Sequence, residues 1–312
     1  MDISMTMAKE IGISIEYIDH LVNRIDKSYR ISWIDGRRIT APSPELQLVQ
    51  SWIAKLVVRN EFNSFDNTKL PNYITAYEKG SSIVKNANIH VKNNHILTLD
   101  IHRFFPSCKA DSVERLFKSL VIYLPEVNRK RGLDDREVHL LTALSCYEDG
   151  LAVGSPSSPF LANRIMLPAD ADIQKSLPDG YLYSRYSDDI TVSSDNWIDK
   201  KKIIKIIDNV LNRYNFELNT SKTHCSGKGN RRRVTGVYLT SAGSLSIGKK
   251  RKHELKNKLY NYLVYQEGDA AEILGLLLFC KQVDPEFFNR VLAKYADYGI
   301  ASIAGGVMPA LR

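Results

Sequence analysis

The chain has 312 residues, 44% of them hydrophobic and 25% charged, an ordinary globular composition that argues against disorder and allows two or three subdomains around a continuous core. Its cysteines, Cys108, Cys146, Cys225 and Cys280, lie far apart with no Cys-x-x-Cys pair, which suits reduced thiols in the cytoplasm rather than zinc or a redox couple. The net charge is +8, and residues 226–258 alone hold ten cations against Glu254, a local +9 that leaves the remainder at about −1; the basicity is one patch, suited to a polyanion track or, more plainly, a solvated surface.

In chain order, Met1 to Ile18 mixes Asp2, Lys9, Glu10 and Glu16 into its apolar positions, so it reads as neither a signal peptide nor a membrane span. Ser43-Pro44 starts a helix in which Leu46, Val49, Ile53, Leu56 and Val57 recur at helical spacing. Ile96 to Ile101 reads as a buried strand with Asp100 near its end, and a buried acid needs a reason. Pro159 to Ala171 is predicted helical, Tyr181 to Tyr186 and Ile190 to Ser193 are predicted strands, and Ile198 to Tyr214 is predicted helical. The last sixty or so residues read as mainly helical, with one helix starting near Lys249, and no repeat or low-complexity linker divides the chain.

Tyr186-Ser187-Asp188-Asp189 sits between the two predicted strands and places adjacent carboxylates at a tight turn. Alone, an Asp-Asp pair is most often only a turn, because aspartate satisfies its own backbone there. Asp100, at the end of another strand, changes that: neighbouring strands bring the acids together, and packed carboxylates repel unless a cation neutralises them. Hard oxygen donors select Mg²⁺ or Mn²⁺, and a pair of such ions suits nucleotidyl transfer. No Walker loop, zinc spacing or nucleophilic serine or cysteine motif supports a competing chemistry.

These residues carry a family resemblance. Leu99-Asp100-Ile101-His102-Arg103-Phe104-Phe105-Pro106-Ser107 resembles the first catalytic motif of reverse transcriptases, and Tyr186-Ser187-Asp188-Asp189 their Tyr-x-Asp-Asp turn. Gly154-Ser155-Pro156-Ser157-Ser158-Pro159 with Leu161-Ala162-Asn163 resembles the motif for template and nucleotide, Leu218-Asn219 to Lys222-Thr223 the lysine motif, and Val234-Thr235-Gly236 the palm-to-thumb junction. Asn86-Ala87-Asn88-Ile89-His90 paired with Val234-Thr235-Gly236 narrows the resemblance to retron enzymes. The matching motifs cover roughly residues 29–240, and the thumb agrees only in general character.

The resemblance implies an α+β right-hand polymerase: fingers over residues 1–95, an antiparallel palm over 96–238, and a helical, RNA-binding thumb over 239–312, with no room for a second catalytic domain. It implies two Mg²⁺ ions, or Mn²⁺, held by Asp100, Asp188 and the Ile101 carbonyl, with Asp189 in electrostatic support. Arg37, rather than Arg38, would clamp the triphosphate, and Gly154 would belong to the nucleotide site. Phe105 would exclude a 2′ hydroxyl, the plainer role being a core phenylalanine. Lys222 would assist the leaving pyrophosphate, the plainer role being a solvated lysine. Arg231, Arg232, Arg233, Lys249, Lys250, Arg251 and Lys252 are the candidates for gripping an RNA stem through its phosphates and shape. Tyr260, Tyr262 and Tyr265 would stack on nucleic acid or pack in the thumb, and Asn86 and His90 would brace a loop at least as readily as touch RNA.

The implied partners are dNTPs, a cognate non-coding RNA, the branched msDNA made from it, and a separate effector protein in anti-phage defence, with no membrane. Three departures stand out: Ala152-Val153 replaces the usual Pro-Gln, Arg103 stands where relatives often carry an acid, and Ser187 replaces the commoner alanine. Another reverse transcriptase class, of group II intron or diversity-generating type, would lack the paired signatures. A disabled polymerase kept as an RNA-binding scaffold is favoured only by Val153 and disfavoured by the three aspartates.

Overall fold

The fold is that of a computed structural model of the chain, which describes residues 2–34, 36–62, 70–124 and 129–298. Helices α1 (Ile3–Ile11) and α2 (Ile15–Asn23) lead into a hairpin of β1 (Tyr29–Ile34) and β2 (Arg37–Pro42), followed by α3 (Pro44–Arg59). α3 begins as its sequence requires, with the Ser43 hydroxyl accepting from the Leu46 amide, Pro44 in the first turn, and Leu46, Val49, Ile53 and Val57 buried.

The middle of the chain comprises β3 (Glu61–Phe62), α4 (Ile83–His90), β4 (His95–Asp100), α5 (Phe104–Ser107), α6 (Ala110–Ser119), β5 (Leu120–Leu124), β6 (Arg129–Gly132) and α7 (Asp135–Ser145). After the small hairpin β7 (Cys146–Tyr147) and β8 (Gly150–Leu151) come α8 (Ser158–Ser176), β9 (Leu182–Tyr186), β10 (Asp189–Ser194), α9 (Lys200–Arg213) and β11 (His224–Ser226). α8 runs through Pro168 to Ser176, past the Ala171 expected from sequence. α9 starts at Lys200 rather than Ile198, because the Asp199 side chain caps it by accepting from the Lys202 amide. A second small sheet, β12 (Arg232–Val234), β13 (Val237–Leu239) and β14 (Leu245–Ser246), precedes α10 (Lys249–Tyr260), α11 (Ala270–Val283) and α12 (Pro285–Lys294).

The central sheet is antiparallel in the order β11-β4-β10-β9. Cross-strand partners share a face, so its register sorts the side chains into two sets. Leu97, Leu99, Ile190, Val192, Tyr183 and Arg185 occupy one face; Asp100, Thr98, Ile96, Asp189, Thr191, Ser193, Tyr186 and Ser184 occupy the other. The first face joins a core that runs from Ile3 in α1 to Phe216 after α9, so the N-terminal helices and the sheet share one hydrophobic interior. A second core gathers Ala87, Ile96, Val234, Val237 and Leu239 with Leu255, Leu277, Phe287 and Val291 of the C-terminal helices. The β12–β14 sheet therefore packs with the C-terminal helices. Mixed helix and sheet around an antiparallel centre, with a helical C-terminal part, is the right-hand arrangement that the resemblance implied. No helix among the described residues is long and apolar enough to cross a membrane.

Candidate active site

The acids meet because of register. Asp189 opens β10 directly across from Asp100 at the end of β4, and the Ile101 amide donates to the Asp188 carbonyl at 2.9 Å. Tyr186 pairs with Asp189, leaving Ser187-Asp188 as a two-residue turn with Ser187 at φ +60. On the other side, the Asn219 amide donates to the Asp100 carbonyl at 2.7 Å and the His102 amide to the Glu217 carbonyl at 2.8 Å, which carries Lys222 alongside. Lys222 Nζ then donates to Asp100 Oδ1 at 2.6 Å.

Asp100 is buried, and Asp189 still reaches solvent at the sheet end. The protein packed around it nevertheless pushes the Asp189 carboxyl up to about 6, with the charges of Asp188 and Asp100 adding and Lys222 opposing. Lys222 supplies the counter-charge at Asp100, and among the described residues no three acidic, cysteine or histidine side chains close on a single point. The donor set still fits a hard divalent cation: carboxylates from two paired strands, with the Ile101 backbone beside them.

Asp100, Ile101, Asp188 and Lys222 line a cleft of about 860 Å³ that also takes in Arg38, Tyr77, Arg103, Phe105, Glu148, Val153, Ser187 and Asn215. Eight non-glycine residues among those described have positive φ, and five of them line this cleft: Tyr77, Arg103, Glu148, Ser187 and Asn215. Strained backbone concentrates where function demands a particular geometry.

Phe105 lies in the cleft, half-buried, with its ring centroid 6.5 Å from that of Tyr77. Gly154 is set back behind the wall: at φ +116, a Cβ there would come 3.1 Å from the Thr40 carbonyl of β2, whose amide donates to Val153 O at 2.8 Å. It serves the close approach of β2 to the wall, while Ala152 and Val153 face the cleft. Of the two candidate arginines, Arg38 presents its guanidinium to the cleft, and the Arg37 side chain lies outside the described residues. Adjacent strand residues point to opposite faces, so sequence spacing alone could not choose between them.

A buried support under the Ser187-Asp188 turn carries no sequence motif. Arg185 is fully buried on the core face of β9, where it donates Nε to Asp170 Oδ1 at 2.8 Å and Nη2 to Asp170 Oδ2 at 2.7 Å. Its Nη1 donates to the Ser187 carbonyl at 3.0 Å and to Asn163 Oδ1 at 3.1 Å. Tyr183 donates to the same Asp170 at 2.6 Å, and the Tyr77 and Ser187 hydroxyls share a 2.6 Å bond. The available signal was a charged residue at an inward position of a strand, with an acid on the helix before it.

Asn86 and His90 are buried braces. Asn86 Nδ2 donates to Thr235 Oγ1 at 2.9 Å, and the His90 ring nitrogens bond the Ser193 and Ser184 hydroxyls at 2.7 Å each. The Asn-Ala-x-x-His helix is thereby tied both to the central sheet and to the Thr235-Gly236 turn, where φ values of +44 and +83 match a two-residue hairpin loop.

The basic patch divides on inspection, correcting two of its members. Arg232 is buried, donating to the Asn93 and Thr240 carbonyls, and Lys252 is ion-paired with Asp284 at 2.7 Å and lies 4.7 Å from the Phe287 ring centroid. Both are used up inside the fold, which net charge in a sequence window cannot reveal. Arg251 is half-buried, with its guanidinium 5.2 Å from the Phe279 ring centroid. Arg231, Arg233, Lys249 and Lys250 are exposed, Arg233 lying over Tyr238. Tyr262 is buried in the second core, and Tyr260 and Tyr265 meet edge to face at the surface.

Residues 34–239 match the family model described as reverse transcriptase (RNA-dependent DNA polymerase). The chain is 30% identical over 297 residues to the retron Ec86 reverse transcriptase of Escherichia coli, an alignment covering 92% of this chain and 86% of that one. It is 29% identical over 287 residues to the retron Ec83 reverse transcriptase of Escherichia coli, covering 86% of each. It is 26% identical over 271 residues to the retron Ec73 reverse transcriptase of the same organism, covering 83% of each.

Proposed function

Because the chain belongs to the reverse transcriptases, RNA-dependent DNA polymerases, and within them to the retron type, we propose that it copies its cognate non-coding RNA into branched msDNA at the cleft lined by Asp100 and Asp188, with Asp189 paired across from Asp100. The observation that carries this reading is the register that sets Asp189 across from Asp100 while Asp188 O accepts from the Ile101 amide. Enzymes of this family use divalent metal ions. In our reading Asp100, Asp188 and the Ile101 carbonyl hold two Mg²⁺ ions, with Mn²⁺ as the alternative and Asp189 in support. The chemistry such ions supply there is activation of the attacking hydroxyl and neutralisation of the leaving pyrophosphate.

The chain's own residues do the rest. Lys222, in contact with Asp100, donates a proton to the leaving group. Arg38 takes the role expected of Arg37 and binds the triphosphate, a guanidinium matching phosphate geometry. Phe105 packs beneath the sugar and leaves no room for a 2′ hydroxyl. Arg231, Arg233, Lys249 and Lys250 grip the RNA stem, and an A-form stem is held chiefly through phosphates and 2′ hydroxyls.

The fingers, palm and thumb division is kept, with the thumb border drawn ahead of residue 232 rather than at 238, because Val234 and Val237 belong to the second core. The Asn86–Thr235 bond favours the retron reading, since it joins the two signature segments. We assign the enzyme to the cytoplasm, working with a separate effector protein in anti-phage defence.

The test is to express the gene with its upstream flanking DNA and look for a small DNA whose gel mobility changes on debranching. A debranchable species is expected; its absence, with folded protein and intact flanking RNA, would contradict the msDNA assignment.

A further inference from the structure

The hairpin of β7 and β8 is closed by Glu148 and Asp149 between the paired residues Tyr147 and Gly150. Both turn residues have positive φ, +47 and +63, in a turn where Asn-Gly or Gly-Gly would fit without strain. Gly150 has its own reason to be glycine, since a Cβ there would come 2.6 Å from the Pro106 carbonyl. Glu148 has none of this kind. What its placement achieves is a fork-to-fork pair: Arg38 Nη1 donates to Glu148 Oε2 at 2.7 Å and Nη2 to Oε1 at 2.8 Å. The Arg38 guanidinium also stands 5.9 Å from the Tyr147 ring centroid. The pair ties β2 to the cleft wall and lies in the cleft that holds Asp100, Asp188 and Lys222. Both partners remain solvent-accessible, so the pair is exchangeable rather than a fixed piece of the core.

We propose that Glu148 is a nucleotide gate: its carboxylate competes with the triphosphate of the incoming nucleotide for the Arg38 guanidinium and thereby sets the KM for dNTP. The inference rests on Arg38 as the triphosphate ligand. Glu148 occupies the Nη1–Nη2 edge of Arg38, and a phosphate that approaches the same edge must displace the carboxylate to make its own paired bonds. A backbone outlier held at a cleft is the expected mark of a side chain aimed for a task.

The experiment is steady-state extension of oligo(dT) on poly(rA) with dTTP by the full chain. In Glu148→Gln, KM falls about two- to fivefold with kcat within about twofold, the range that releasing an exposed ion pair allows. Glu148→Asp, which keeps the charge, retains a KM near that of the wild type. Glu148→Gly removes the carboxylate and relieves the positive φ, so it folds at least as well and shows the same fall. Arg38→Gln raises KM, and adding Glu148→Gln to it changes nothing further. An unmoved or raised KM in both Glu148→Gln and Glu148→Gly overturns the gate while leaving the polymerase reading intact. An unmoved KM in Arg38→Gln overturns the reading of Arg38 and the gate with it.

Discussion

Arg185→Met removes the guanidinium that holds both Asp170 and the Ser187 carbonyl, and the structure fixes what is left behind. Neither Arg185 nor Asp170 has an exposed side chain, and the Tyr183 hydroxyl is the other side-chain donor to that carboxylate. Breaking a buried pair by removing one partner costs about 3–5 kcal/mol, because an uncompensated charge stays buried. Against a total stability of about 5–15 kcal/mol, that predicts a fall in thermal midpoint of about 10 °C. Adding Asp170→Leu and Tyr183→Phe removes the orphaned carboxylate and the hydroxyl that served it, so the triple variant should recover most of the loss, apolar replacement of a buried pair being often neutral. Its activity should not recover. The Ser187 carbonyl has lost its 3.0 Å donor, and, with Asp188 as the proposed metal ligand, a displacement of that turn by about 1 Å costs about 10²-fold in rate. Thermal melts followed by single-turnover extension separate the two effects. A loss below about 1 kcal/mol in Arg185→Met, or wild-type turnover in the stabilised triple variant, would refute the reasoning.

Three more outcomes follow from the geometry. Burial pushes His90 down to about 3, below its unfolded value, so as pH falls through 6.5 the unfolded chain takes a proton that the folded chain refuses and stability is lost. The loss reaches about 2 kcal/mol at pH 5, and subtracting the denaturation curves of His90→Gln, whose side chain does not titrate, should isolate it. Lys222→Met should lower kcat by about 10²-fold, and Lys222→Arg should restore the ion pair to Asp100 without restoring proton transfer, read from the pH–rate profile. Arg232→Ala should cost about 1–3 kcal/mol by orphaning the Asn93 and Thr240 carbonyls while leaving the salt slope of RNA binding unchanged, whereas Lys249→Ala should lower that slope by about 1 at unchanged stability.

What was legible in the sequence was whatever depends on local pattern. Asp100 and Asp188-Asp189 stood out because carboxylates at strand ends and turns contradict an otherwise apolar strand pattern, and α3 could be placed from Ser43-Pro44 and its apolar spacing. What stayed hidden depends on partners distant in sequence. Arg185 and Asp170 lie on successive elements, yet nothing local says that they face each other rather than water. Arg232 and Lys252 look like Lys249 in a list of cations, and only the carbonyls and carboxylate that receive them set them apart. Arg37 and Arg38 could not be told apart by spacing, because a one-residue shift on a strand reverses the face, and only the fold brings Arg38 to the cleft. Glu148 carried no motif, and its significance comes from a φ angle and a fork of hydrogen bonds.

This cleft's carboxylates are proposed to carry out the RNA-directed DNA synthesis of the family. The most direct measurement is Mg²⁺-dependent extension of a DNA primer on an RNA template by the wild type and by Asp188→Asn, with matched thermal melts showing both folded. Extension is expected from the wild type and only background from the variant. Equal extension by the two would mean that the chemistry lies elsewhere.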